Sequence, residues 1–174
     1  FADEFVAFLD GLGRNGKDAE LILGGDTFGF WELTTDEGTA KLDAIVAHHQ
    51  PVFAALKSAG ERVRITIMVG NHDYDLACVP GFAERLAEYN LHLDASISLT
   101  REMLGRTIWI EHGQQVDPFN ASPDYGNRYA LPVGYFITET LVAGASRFSA
   151  FGRGNWLKDI RSVATDLIPD WALS

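Results

Sequence analysis

Three glycine-marked breaks in this sequence carry side chains able to hold a cation: Gly24-Gly25-Asp26, Gly70-Asn71-His72-Asp73 and Glu111-His112-Gly113. Carboxylate oxygen, carboxamide oxygen and imidazole nitrogen together suit hard-to-borderline divalent ions. An ion so held polarises a phosphoryl oxygen and lowers the pKa of bound water by roughly eight units, which is the chemistry of phosphate ester hydrolysis. Asn71 suits a site that needs an oxygen without further negative charge. His72 beside Asp73 suggests an imidazole oriented by a neighbouring carboxylate. Plainer roles exist for the same residues. Asp26 can cap a helix or turn, Asn71 can close an Asx-turn with His72 at the surface, and a lone His at a strand end is commonly structural. Recurrence of the pattern behind three successive apolar runs favours the chemical reading.

Those runs must position the donors. Ala19-Glu20-Leu21-Ile22-Leu23 reads as a strand buried on both faces, and Arg64-Ile65-Thr66-Ile67-Met68-Val69 and Thr107-Ile108-Trp109-Ile110 read as two more. The glycines turn the chain so that Asp26, Asn71, His72 and His112 emerge at the carboxyl ends, where ligands gather in open α/β sheets. A hairpin turn is expected at Met103-Leu104-Gly105-Arg106-Thr107, centred on Gly105 and Arg106. Helices are predicted over 3–12, 38–59 and 81–89, with Pro51 kinking or splitting the second. In the first, Phe1, Phe5, Phe8, Leu9 and Leu12 form one apolar stripe. Helices alternating with strands give an α/β fold of β-α-β units around a mixed sheet. His48 and His49 fall mid-helix, at least one facing solvent and neither a ligand. His92 alternates away from the core.

Gly25-Asp26, then Gly70-Asn71-His72-Asp73, then His112-Gly113, in this order, resemble the calcineurin-like metallophosphoesterases. The Phe28-Gly29-Phe30-Trp31 stretch is similar to bacterial members acting on nucleotide- or lipid-linked pyrophosphates, including the diacylglucosamine pyrophosphatases. The resemblance covers the chain from about Phe1 to Phe119. It implies an αββα sandwich with two divalent metals, Mn²⁺ first and Fe, Zn or Mg as alternatives. By that resemblance Asp26 bridges both ions, and Asn71 and His112 bind one of them. His72 faces the substrate phosphate as a catalytic residue, helped by Asp73. The family also carries Asp-x-His ahead of these motifs and Gly-His-x-His behind them. Neither stands in these residues, and the expectation is a piece of a longer chain, with loss of the ligands as the alternative.

The 174 residues are enough for one good core. The net charge of −10 sits before Pro118, with 19 acidic against 9 basic residues up to Asp117 and five of each after it. Such an acidic body disfavours nonspecific nucleic-acid binding. A single cysteine, Cys78, reads as a structural thiol in a reducing compartment. A cytoplasmic location is expected, with peripheral membrane contact as an alternative. The division expected is a metallophosphoesterase core over 1–117 and a helical cap or lid over 118–174. The cap holds helices near 131–142 and 156–167, and Lys158 and Arg161 lie on the second. Nine of the chain's 20 aromatics fall after Asp117 and could grip the rest of a phosphate-containing small molecule or lipid. Asp117 and Asn120 are candidates for contacts behind the ligands. The rival reading is a non-catalytic binding module of the same fold.

Overall fold

In the computed structural model, which describes residues 2–12, 14 and 19–148, the protein is mixed α/β. Three strands run parallel in the order β1 (Glu20–Leu23), β2 (Arg64–Met68), β3 (Leu91–Asp94). Leu21 pairs with Ile65, and Ile65 in turn with Leu91. Helices make the crossovers, as parallel pairing requires. Between β1 and β2 lie α2 (Thr39–His48) and α3 (Gln50–Gly60); between β2 and β3 lie α4 (Asp75–Cys78) and α5 (Phe82–Ala87). The expected long helix is split at His49. Pro51 sits in the first turn of α3, where its missing N–H is no loss.

From Ile65 onwards β2 is buried, whereas β1 is only half-buried along its length. β1 is therefore less covered than the buried strand expected, and among the described residues it pairs along one edge only. Beneath the sheet the core is aromatic. Phe28 stacks on Phe30 at 5.4 Å and Phe30 on Phe82 at 5.2 Å, with Phe53 behind Phe28. Leu9 anchors α1 (Ala2–Gly11) in that core with Phe5 and Leu12 packed beside it, while Phe8 is half-exposed at the margin of the stripe. Phe1 lies outside the described residues.

Among the described residues, parallel and antiparallel pairing are segregated rather than mixed in one sheet. β4 (Ser98–Met103) and β5 (Arg106–Glu111) form a separate antiparallel hairpin. A buttress joins the two sheets: Arg101 on β4 donates to both oxygens of Glu20 on β1, at 2.7 and 2.8 Å, and Thr66 Oγ1 donates to Glu20 as well. Arg101 holds the Glu20 carboxyl well below its ordinary range, at about 2. The hairpin turn is centred on Leu104 and Gly105, not Gly105 and Arg106, because Met103 pairs with Arg106 across it. Both turn residues have positive φ, 52° and 72°, as a two-residue primed turn demands.

Leucine is a poor residue for that conformation, and Leu104 is 96% exposed, so its side chain packs on little. Leu104→Asn should stabilise the protein by about 0.5–1 kcal/mol, read as a higher urea midpoint. A lowered midpoint would mean that the leucine side chain does useful packing.

A short 3₁₀ turn at Gln114–Val116 follows β5, and α6 (Val133–Phe148) begins somewhat later than the helix expected from 131. The second expected cap helix, with Lys158 and Arg161, lies outside the described residues. His48 and His49 are both exposed, at the end of α2 and in the break after it, and His92 is exposed on β3. Cys78 is half-buried, and burial pushes its thiol up to about 11, which suits a structural role. Among the described residues no helix is long and apolar enough to cross a membrane.

Candidate metal centre

Asp26 follows β1 in the left-handed region, with φ 51°, directly after Gly25 at φ 96°. A carboxylate held there by its surroundings is the kind of backbone strain that clusters at functional sites. Two close approaches explain the glycines. A Cβ on Gly25 would come within 2.5 Å of the His112 ring, and one on Gly70 would collide with Asp26 itself. The ends of β1, β2 and β5 can meet only because these positions lack side chains.

What meets there is a set of lone pairs. The Nε2 of His112 lies 3.3 Å from Asp26 Oδ2 and 3.2 Å from Asn71 Oδ1. The other ring nitrogen, Nδ1, is 3.0 Å from the carbonyl of Gly24. A carbonyl can only accept, so Nδ1 carries a proton, and a neutral ring would turn a bare Nε2 inward.

The amide of Asn71 is oriented by a relay. Asp117 Oδ2 accepts from Asn120 Nδ2 at 2.6 Å. Asn120 Oδ1 then faces Asn71 Nδ2 at 3.3 Å, which leaves Asn71 Oδ1 for His112. The chain of bonds starts at a group that only accepts, so each amide has one consistent orientation. Three lone-pair donors from three chain segments thus crowd one point with no hydrogen between them in the neutral state. Ligands at about 2.0–2.2 Å from an ion are themselves separated by roughly 3.0–3.4 Å. The two separations from His112 Nε2 are of this size.

Asp26, Asn71 and His112 are accordingly brought together, although His112 arrives from the second sheet rather than from the same sheet edge. Asp117 and Asn120 lie behind them as expected. Among the described residues no cluster of three or more His, Cys, Asp or Glu is placed to hold a metal, so a first ion would have Asp26, His112 and the Asn71 amide to hold it, and a second ion none of these to spare.

His72 and Asp73 are placed differently from the expectation. Asp73 is fully buried, and its oxygens are occupied by backbone. Oδ1 accepts from Gly70 N–H at 2.6 Å, and Oδ2 accepts from Thr27 and Phe28 N–H at 2.8 and 3.2 Å. Burial pushes this carboxyl up to about 6, with the three N–H groups pulling the other way. Asp73 therefore ties the β1 and β2 loops together, and the carboxylate on His72 is Glu32, whose Oε1 is 2.9 Å from Nδ1. The His72 ring lies against buried Trp31 at 4.4 Å, while its backbone N–H donates to Asp26 Oδ1 at 2.8 Å. Sequence reasoning missed Glu32. Its only signal was an acidic residue at the end of the Phe28-Gly29-Phe30-Trp31 stretch.

The start of α6 reaches this site. Tyr135 sets its ring edge-on to Trp31 at 5.8 Å, and Gly134 N–H donates to the Phe119 carbonyl at 2.7 Å. On the far side of the Gly24-Gly25 turn an apolar cavity of about 470 Å³ opens, lined by Phe5, Leu23, Phe28, Ile45 and Val52.

Fold and site together define an α/β protein with a candidate cation site at converging strand ends. Comparisons with protein-family models, with curated proteins and with solved structures give no match.

Proposed function

We propose that this protein is a metal-dependent phosphoric ester hydrolase of the calcineurin-like type, its described residues forming part of an αββα sandwich. The observation that carries the reading is the convergence of Asp26, Asn71 and His112 at 3.2–3.3 Å, with the tautomer of one and the amide orientation of another fixed by outer partners. The mixed oxygen and nitrogen set suits Mn²⁺, with Fe, Zn or Mg as alternatives. A bound divalent ion would polarise a phosphoryl oxygen and acidify water. Asp26 would supply the one full negative charge, and Asn71 an oxygen without charge. His72, a third exposed and bonded through its backbone to Asp26, would hold a proton for the leaving oxygen. A second ion would need donors beyond the three named here.

The substrate class is a phosphate-containing small molecule or lipid. A lipid- or nucleotide-linked pyrophosphate has its own support. Phe119, Val133, Phe136 and Ile137 are about half exposed on and beside α6, which docks on Trp31. The described part of the segment from Pro118, 118–148, would then serve as a lid, and the same side chains would make any peripheral membrane contact.

The test is hydrolysis of bis-p-nitrophenyl phosphate by the whole protein, stripped of metal and reloaded with Mn²⁺. Activity should appear only with metal. On an alkyl phosphate ester, whose leaving oxygen needs a proton, His72→Ala should lower turnover about 100-fold or more while metal content stays unchanged. Absence of hydrolysis despite full metal loading would favour the non-catalytic binding module.

A further inference from the structure

We infer that Glu32 is the positioning residue for His72: its carboxylate fixes the proton on Nδ1 and so presents Nε2 to the leaving oxygen of the substrate. The inference rests on the phosphoesterase reading and adds to it a residue and a mode of action.

The geometry is built rather than incidental. Phe30 N–H donates to the His72 carbonyl at 3.1 Å, which ties the Phe28–Glu32 stretch to the loop after β2. Trp31 is buried and lies against the imidazole face. Glu32, the next residue, closes on the ring edge at Nδ1. Gly29 leaves room for it, since a Cβ there would come within 2.8 Å of Glu32 Oε2. Two consecutive side chains therefore clamp one imidazole, one on its face and one on its edge. A carboxylate only accepts, so the hydrogen of this pair belongs to Nδ1. Nε2 then lies on the opposite side of the ring. Asp73 cannot share the task, because its oxygens are held by the N–H groups of Gly70, Thr27 and Phe28.

In the reaction, water oxygen bonds to phosphorus and the ester P–O bond breaks, its electron pair going to the leaving oxygen. A proton held at Nε2 goes to that oxygen, and the proton shed by water passes to solvent, which returns one to Nε2. Glu32 matters only as far as the leaving oxygen needs a proton. An alkoxide needs one, whereas p-nitrophenolate departs without it.

The test compares Glu32→Ala and Glu32→Gln with the parent in the whole, Mn²⁺-loaded protein, on an alkyl phosphate ester and a p-nitrophenyl ester. Glu32→Ala should lose about 10- to 100-fold in kcat on the alkyl ester, with the p-nitrophenyl ester and metal content little changed. Glu32→Gln keeps an acceptor oxygen and should restore most of the alkyl activity. Equal losses on both esters, or a loss of metal, would overturn the assignment. Ring ¹⁵N correlation spectra of His72 give a readout independent of turnover: the parent should show a proton on Nδ1, and Glu32→Ala a mixture of tautomers. A parent spectrum with bare Nδ1 overturns the pairing. A parent that cleaves neither ester overturns the phosphoesterase reading and the acid role together, and the spectrum still decides the pairing.

Discussion

Asp26→Asn is expected to lower divalent-metal affinity by more than about 100-fold, measured as Mn²⁺ bound per chain after equilibrium dialysis. Asp26 supplies the only negatively charged side chain among the three donors, and an imidazole nitrogen and an amide oxygen are the other two. Neutral donors alone compete poorly with water for an ion as hard as Mn²⁺. Asparagine is the informative replacement for a geometric reason. Position 26 has φ 51°, which Asp and Asn tolerate and Ala does not. The amide oxygen can still accept the His72 N–H that Oδ1 now takes at 2.8 Å. The fold should therefore survive, with an unchanged far-UV spectrum and urea midpoint, while the metal is lost. Asp26→Ala should lose the metal too, but with about 1 kcal/mol of backbone strain added. Full metal content in either variant would remove Asp26 from the site and the phosphoesterase reading with it.

Strand ends were legible in the sequence because a buried run closed by glycine has few other uses. Glu20–Leu23 and Arg64–Met68 follow from the apolar runs, and the donors behind them follow from the glycines. Pro51 likewise announced the break between α2 and α3. Strand partnership was legible only in part. The expected hairpin turn already sets Arg106–Glu111 against Ser98–Met103, but nothing in either strand says that, among the described residues, the pair stays apart from the parallel sheet. The partner of His72 was misjudged for a similar reason. Asp73 is its neighbour in sequence, but successive side chains in a tight turn diverge, and Asp73 turns inward to the backbone of Thr27 and Phe28. Glu32, 40 positions away by number, reaches the ring because Phe30 is bonded to the His72 carbonyl. Local adjacency carries no information about a contact that a long-range backbone bond decides.

The reassignment of Asp73 has a large consequence for stability. Asp73→Ala should cost about 3–5 kcal/mol, read from urea unfolding. It would strand the buried N–H groups of Gly70 and Phe28 and leave that of half-buried Thr27 to find water. Each buried group loses its partner without gaining water, which costs about 1–3 kcal/mol, the Thr27 group costs less, and relaxation of the loops recovers part of the sum. Asp73→Asn separates the contributions. Its oxygen can serve Thr27 and Phe28, but its NH₂ would then face the Gly70 N–H, where Oδ1 now accepts at 2.6 Å. One stranded donor in place of three predicts a loss of about 1–3 kcal/mol for the asparagine variant. The order of the two variants tests the role. A structural Asp73 gives graded stability losses, with metal binding and turnover falling only as the folded fraction falls. A catalytic Asp73 would instead give two variants of parental stability with depressed turnover. That result would return the residue to the reaction and leave its three backbone bonds as incidental.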